Sequence, residues 1–176
     1  MSQKQDILFG NASELANHNL LQLFLDTKLE RKGGYAVFDY ENPTRTIFVE
    51  LKSRRIKHDT YTTAIIGLNK IAFADHIPDA EFWLAFCYSD GLYVIKYDKE
   101  YFDTLEVCHN YVRGPRNDTH NRPQSVVFIP TDRLTKVEEE SLVEKAEVRG
   151  VKDDEKEEPK GLNGTFVGVP PVVGSE

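Results

Sequence analysis

The chain reads as an α/β domain, on three observations. Apolar residues recur at helical spacing over 11–31 and again over 60–76. Short runs rich in β-branched and aromatic residues, bounded by turn-forming residues, lie at 37–51, 81–97 and 125–130. Helix and strand patterns thus alternate along the chain, which is the order of a sheet flanked by helices.

The first helix is expected over 11–31. Asn11 or Ser13 can cap its start, and Leu20, Leu21, Phe24, Leu25 and Leu29 form its apolar stripe. Glu14 lies seven residues before Leu21 and eleven before Leu25, so it shares that face. It either points at the sheet or closes a capping box as the third residue after Asn11. After Gly33-Gly34, residues 37–40 and 46–51 make a hairpin around Asn42-Pro43-Thr44-Arg45. With Pro43 and Thr44 as its central pair, Tyr40 faces Ile47 and Asp39 faces Phe48. Asp39, Phe48, Glu50 and Lys52 then share one side of the sheet, with Glu50 diagonal to Asp39. Ile47, Val49 and Leu51 make the other side apolar, and Phe48 makes this side partly so. A strand covered on both faces holds charges at a cost unless they meet a partner or a metal. A solvated charge pair on a surface hairpin is the plain alternative.

Residues 53–58 form a basic turn with Arg54, Arg55 and Lys57, suited to phosphate contact or simply solvated. The second helix, 60–76, presents Tyr61, Ala64, Ile65, Leu68, Ile71 and Ala72 on one face. Gly67 in its middle costs about 1 kcal/mol, which close packing on the sheet would explain. Asn69 and Lys70 either reach the site or face solvent. Residues 81–88 suit a buried strand with Trp83 and Cys87 in the core, Ser89-Asp90-Gly91 a turn, and 92–97 the partner strand. A short helix or turn follows at 98–105. Residues 109–124 read as a polar, basic loop whose Arg113, Arg116 and Arg122 either clamp a nucleic acid backbone or are merely exposed. His109 and His120 match no metal-ligand spacing. A last strand at 125–130 precedes 131–134, which closes the domain.

The net charge of −7 is concentrated at the end of the chain. Residues 137–158 hold ten acids against four bases and residues 159–176 one of each, so the first 136 residues sum to −1. That portion is near neutral, with basic clusters at 52–57 and 113–122, which is compatible with a nucleic-acid partner. Residues 137–176, acidic and then Gly/Pro-containing, read as a tail without its own fold behind a domain at 1–136. The tail's role would be docking of a protein partner, competition with DNA, or none. Cys87 and Cys108 are the only cysteines, which excludes a disulfide framework and a cysteine-based zinc site. No stretch approaches the roughly 18 apolar residues of a membrane span, and MSQKQD has no signal-peptide core. An intracellular protein, cytoplasmic or nuclear or packaged in a virion, and without a membrane partner, is expected.

Asp39, ten intervening residues and Glu50-Leu51-Lys52 at the end of an apolar strand resemble the signature of the PD-(D/E)XK nuclease superfamily. The resemblance covers roughly residues 11–97: a helix carrying Glu14, the hairpin, Ser53-Arg54-Arg55 directly after Lys52, then a helix and another apolar strand. Phe38 stands where the family has Pro, a packing position. The stretches TTAIIGLNKI and RGPRNDTHNRP are also similar to those of uncharacterised nuclease-like proteins of large DNA viruses. The resemblance implies a restriction-endonuclease-like core, a central mixed sheet flanked by helices. It implies Mg²⁺, or Mn²⁺, held by Asp39, Glu50 and the Leu51 carbonyl, with Lys52 orienting the attacking water and Glu14 holding a second metal or a metal-bound water. DNA is the implied substrate, contacted by Arg54, Arg55, Lys57, Lys70, Arg113 and Arg116, and a homodimer would suit a duplex cutter. The competing expectation is a catalytically silent nuclease-fold protein that binds DNA or builds a virion. A phosphate-transfer enzyme of another kind lacks its glycine-rich loop here.

Overall fold

The computed structural model describes residues 17–112 and 123–138, together with Leu142. Its elements are a helix α1 at 17–25, strands β1 (Glu30–Arg31), β2 (Tyr40–Glu41), β3 (Ile47–Ser53) and β4 (Thr63–Gly67), helix α2 (Leu68–Asp75), strands β5 (Glu81–Tyr88) and β6 (Gly91–Lys96), helix α3 (Lys99–Phe102), and strands β7 (Val107–Tyr111), β8 (Gln124–Pro130) and β9 (Thr135–Lys136). The α/β class read from the sequence is the one observed. A central sheet runs in the order β1-β2-β3-β5-β6-β9, and its β3–β5 pair is parallel while its other pairs are antiparallel. A smaller antiparallel sheet, β4-β8-β7, packs beside it.

Alternation along β3 and β5 divides the core in two. One face carries Phe48, Phe82, Leu84 and Phe86 against α2 and the small sheet, through Ile71, Ala74, Ala64, Ile66 and Ile129. Phe38, Phe48, Phe73 and Phe82 form an aromatic cluster there, with ring centroids 5.0–6.0 Å apart. The other face carries Tyr40, Val49, Leu51, Ala85 and Val94 against Leu21 and Leu29. Val137, the first residue of the expected tail, is buried in this second core, and its N–H donates to Leu92 O at 2.8 Å. Leu142 is buried there too; the rest of 139–176 lies outside the described residues.

The second helix differs from expectation. Only its latter half is α-helix; the rest is a 3-10 turn, His58–Thr60, followed by β4. Thr62, Thr63, Ile65 and Ile66 are β-branched, and Ala64 and Ile66 alternate inward along β4, so the strand buries Ile66 where the helical stripe would have buried Ile65. Gly67 is extended, at φ −68° and ψ 134°, and marks the junction between strand and helix. In α1 the described helix ends at residue 25, before Asp26 at φ 52°. Leu29 belongs to the returning chain, where the Gln22 side chain accepts its N–H at 2.9 Å. The expected loop at 109–124 begins as a strand, since β7 pairs with β8.

Candidate functional site

The hairpin that carries the candidate residues is built on Asn42. Its side-chain oxygen accepts from Thr46 N at 2.8 Å and Ile47 N at 3.0 Å, and its amide reaches the Thr44 and Thr46 hydroxyls. Arg45 takes φ 56°, so the connection is longer than a two-residue turn about Pro43-Thr44. Tyr40 therefore pairs with Val49 and Glu41 with Phe48, a shift of two residues from the expected register. An even shift leaves every side chain on its expected face. Carried one residue past the ladder, this register sets Asp39 across from Glu50 rather than diagonal to it. Beyond the β2 ladder, Asp39 Oδ2 accepts the Leu51 N–H at 2.8 Å, and Asp39 O accepts the Lys32 N–H at 2.7 Å.

Glu50 is 1% exposed, on a β3 position flanked by Leu84 of β5. Among the described residues no hydrogen bond of good geometry reaches either carboxylate oxygen; the compensation is ionic. Lys52 pairs with Oε1 from two residues along the strand, and Lys70 Nζ lies 2.7 Å from Oε2. Lys70 stands in the first turn of α2, where the helix dipole disfavours a cation by about 0.3–1 kcal/mol. Glu50, the carbonyl of Val37 and the Phe38 ring, 5.5 Å away, offset that cost. Phe38, at the position where the resembled family has Pro, is a core residue that also backs this lysine.

The structure thus brings Asp39, Glu50, Leu51, Lys52 and Lys70 together. Lys70, left open between site and solvent by the sequence, faces the site; Asn69 beside it is exposed. Arg54 continues the same strand edge, its N–H donating to Cys87 O at 2.7 Å, while Arg55 and Lys57 lie exposed on the turn beyond. Glu14, Arg113, Arg116 and Arg122 lie outside the described residues.

Whether a divalent cation fits can be tested on the donors. Carboxylate and carbonyl oxygens are the hard ligands that Mg²⁺ prefers, and among the described residues both buried oxygens of Glu50 have only ammonium charges as partners. A dication can supply the same compensation, so the residues fit. Among the described residues no group of three or more His, Cys, Asp or Glu could hold a metal. Asp39 and Glu50 would therefore bind it together with a carbonyl, water and substrate oxygens. Also among the described residues, no helix is long and apolar enough to cross a membrane.

No family model matches the sequence, and no curated protein matches it. Among solved structures, the chain is similar to that of Archaeoglobus fulgidus Hjc, a Holliday junction resolvase from an archaeal hyperthermophile. The identity is 16% and the TM-score 0.43, over 80% of this chain and 95% of that one. A likeness of that extent carries no argument about activity, and the similarity to viral proteins gains no support from it.

Proposed function

We propose that the chain is a metal-dependent nuclease with a restriction-endonuclease-like core that hydrolyses phosphodiester bonds in DNA. The observation that carries this reading is the convergence of Asp39 and Glu50 from two hairpin strands, with Lys52 on the same face. Asp39 and Glu50, with the Leu51 carbonyl, would hold Mg²⁺ or Mn²⁺; the bound ion supplies an acidified water and positive charge for the phosphate. Lys52, paired with Glu50 and about a third exposed, can swing outward to orient the attacking water and stabilise charge on the phosphate oxygens. Lys70 positions Glu50 from the helix side and holds its carboxylate in place. Arg54, Arg55 and Lys57 would contact backbone phosphates along the strand's exit. Glu14, Arg113 and Arg116 retain the roles the resemblance implies, and a homodimer remains compatible with cutting both strands.

Cleavage of plasmid and short oligonucleotides with Mg²⁺ or Mn²⁺ tests this, with Glu50→Ala and Lys52→Ala alongside wild type. Metal-dependent cutting lost in both variants supports the proposal; full activity in Glu50→Ala overturns it.

One observation favours a second reading, a silent nuclease-fold protein that binds DNA or builds a virion. Lys52 and Lys70 already neutralise Glu50, so its burial does not by itself require a metal. Such a scaffold would gain no thermal stability from Mg²⁺ or Mn²⁺.

A further inference from the structure

Beyond Lys52, β3 leads into a cavity of about 250 Å³ that none of the roles above uses. Arg54 stands two residues after Lys52 and four after Glu50, so alternation puts all three on one side, with Arg54 roughly 13 Å along from Glu50. The cavity is lined by Arg54, Ile56, His58, Tyr61, Tyr88 and Thr131, and no acidic residue lines it among the described residues.

Its walls are fixed by contacts from three parts of the fold. His58 stacks on Tyr93 with centroids 4.2 Å apart and planes 1° from parallel. The His58 N–H donates to Asp90 Oδ1 at 2.9 Å, and its Nε2 lies 3.1 Å from Thr131 O. The Thr131 hydroxyl donates to Tyr61 O at 3.1 Å, tying the 3-10 turn to the end of the small sheet. Tyr88 is buried, and the Arg54 charge is near enough to oppose in part the upward push that burial gives its phenol. Tyr61 differs from these: it is 65% exposed, an aromatic ring at the mouth with little protein over it.

Aromatic and aliphatic walls with one guanidinium suit a flat, largely apolar ring joined to an anion. A nucleotide has both parts, and a base enters such a pocket only when it is not stacked in a duplex. We infer that this cavity receives one unpaired nucleobase of the bound strand, stacked against Tyr61, with Arg54 on the adjoining phosphate. This rests on the nuclease reading and narrows its substrate class to nucleic acid with unpaired nucleotides beside the cut, such as a flap, gap, branch or single strand.

The test uses the full chain in EDTA, with a single-stranded oligonucleotide carrying 2-aminopurine and the same strand in a blunt duplex. Binding should change the 2-aminopurine fluorescence of the single strand. Base–aromatic stacking predicts that Tyr61→Ala weakens single-strand binding by roughly 5- to 150-fold. Blunt-duplex binding should stay unchanged. Arg54→Ala should weaken binding and reduce its salt slope by about one. Thymidine 5′-monophosphate should compete, and ribose 5-phosphate should not. Equal loss on strand and duplex, no loss on either, or equal competition by the two phosphates would overturn the inference. Tyr61 is exposed, so its variant should fold, which a melting curve checks. Binding is read without metal, so a chain that never cleaves can pass this test and an active nuclease can fail it.

Discussion

Replacing Glu50 by Gln keeps the side chain's shape and removes the charge that two ammonium groups share. The carboxylate is 1% exposed, while the side chains of Lys52 and Lys70 are 31% and 14% exposed. Breaking a buried ion pair by removing one partner costs roughly 3–5 kcal/mol, because the remaining charge is left uncompensated. Lys52 can turn to water, so the penalty falls mainly on Lys70, which keeps only the Val37 carbonyl and an aromatic face beside an unfavourable helix end. That places the loss at the lower end, about 3 kcal/mol. For a chain of this size it lowers Tm by roughly 6–12 °C. Urea and thermal denaturation without metal would measure it. Lys70→Met, made on the Glu50→Gln background, should recover more than half of the loss, since it removes the stranded charge. A single variant within about 0.5 kcal/mol of wild type, the scatter expected of surface changes, would refute the reasoning. So would a double variant no more stable than the single.

Asp39→Ala should abolish metal-dependent cleavage and cost about 1–3 kcal/mol through the lost charged acceptor of the Leu51 N–H, read by denaturation alongside the cleavage assay. Mg²⁺ at a hundred times its dissociation constant should stabilise wild type by about 2.7 kcal/mol and leave Asp39→Ala and Glu50→Gln unmoved, as followed by thermal melting. The Tyr97 hydroxyl, donating at 2.5 Å, together with Lys99 holds the exposed Asp75 carboxyl below its ordinary value, against a partial desolvation that pushes it up. A carboxyl with a lowered folded-state value contributes stability above the ordinary carboxylate range and loses it as pH falls through the folded value. Tyr97→Phe should therefore narrow the stability difference between about pH 6 and about pH 3. Gly91 sits at φ 140°, a conformation that L side chains rarely adopt, so Gly91→Ala should cost about 1–3 kcal/mol in denaturation, while the Lys136 side-chain end that a Cβ would meet can move aside.

Segments whose side-chain period was unambiguous could be read from sequence. After Glu81, FWLAFCY is an unbroken apolar run and became a central strand, flanked by β3 on one side and β6 on the other. TYTTAIIGLNKIAFA reads as one helix, because Ala64, Ile65 and Leu68 satisfy a helical period; that reading passes over the alternating period of Ala64 and Ile66. Propensity favoured the strand up to Gly67, and pairing with β8 settled it. The hairpin register could not be read, because it depends on the Asn42 side chain binding Thr46 and Ile47, a local competition that turn statistics about Pro43 do not contain. β7 was hidden for a different reason. Its residues are mostly exposed, so no hydrophobic pattern marks it, and only the pairing with β8 makes it a strand.

The candidate site was legible where it depended on one strand and its face, and illegible where it depended on packing. Asp39, Glu50 and Lys52 converge even though the register slipped, since a slip of two residues conserves the side of every chain. Lys70 could not be assigned from the sequence, because a helix spanning 60–76 would have turned it by a different amount than one beginning at Leu68. The boundary at Gly67 is what aims Lys70 at Glu50. That contact changes the physical argument for a metal. The sequence left a covered carboxylate in need of either a partner or a metal, and the fold provides two ammonium groups as partners. A metal at Glu50 must then displace at least one of them, and Lys52 is the more exposed and the one free to leave along the strand toward Arg54 and the cavity beyond. Lys70, held by Val37 and backed by Phe38, would stay. The two lysines are therefore not interchangeable. On the nuclease reading Lys52→Ala should remove cleavage while leaving Mg²⁺ stabilisation intact or stronger, whereas Lys70→Met should leave Glu50 poorly held and weaken both, and identical behaviour of the two variants would count against the assigned roles.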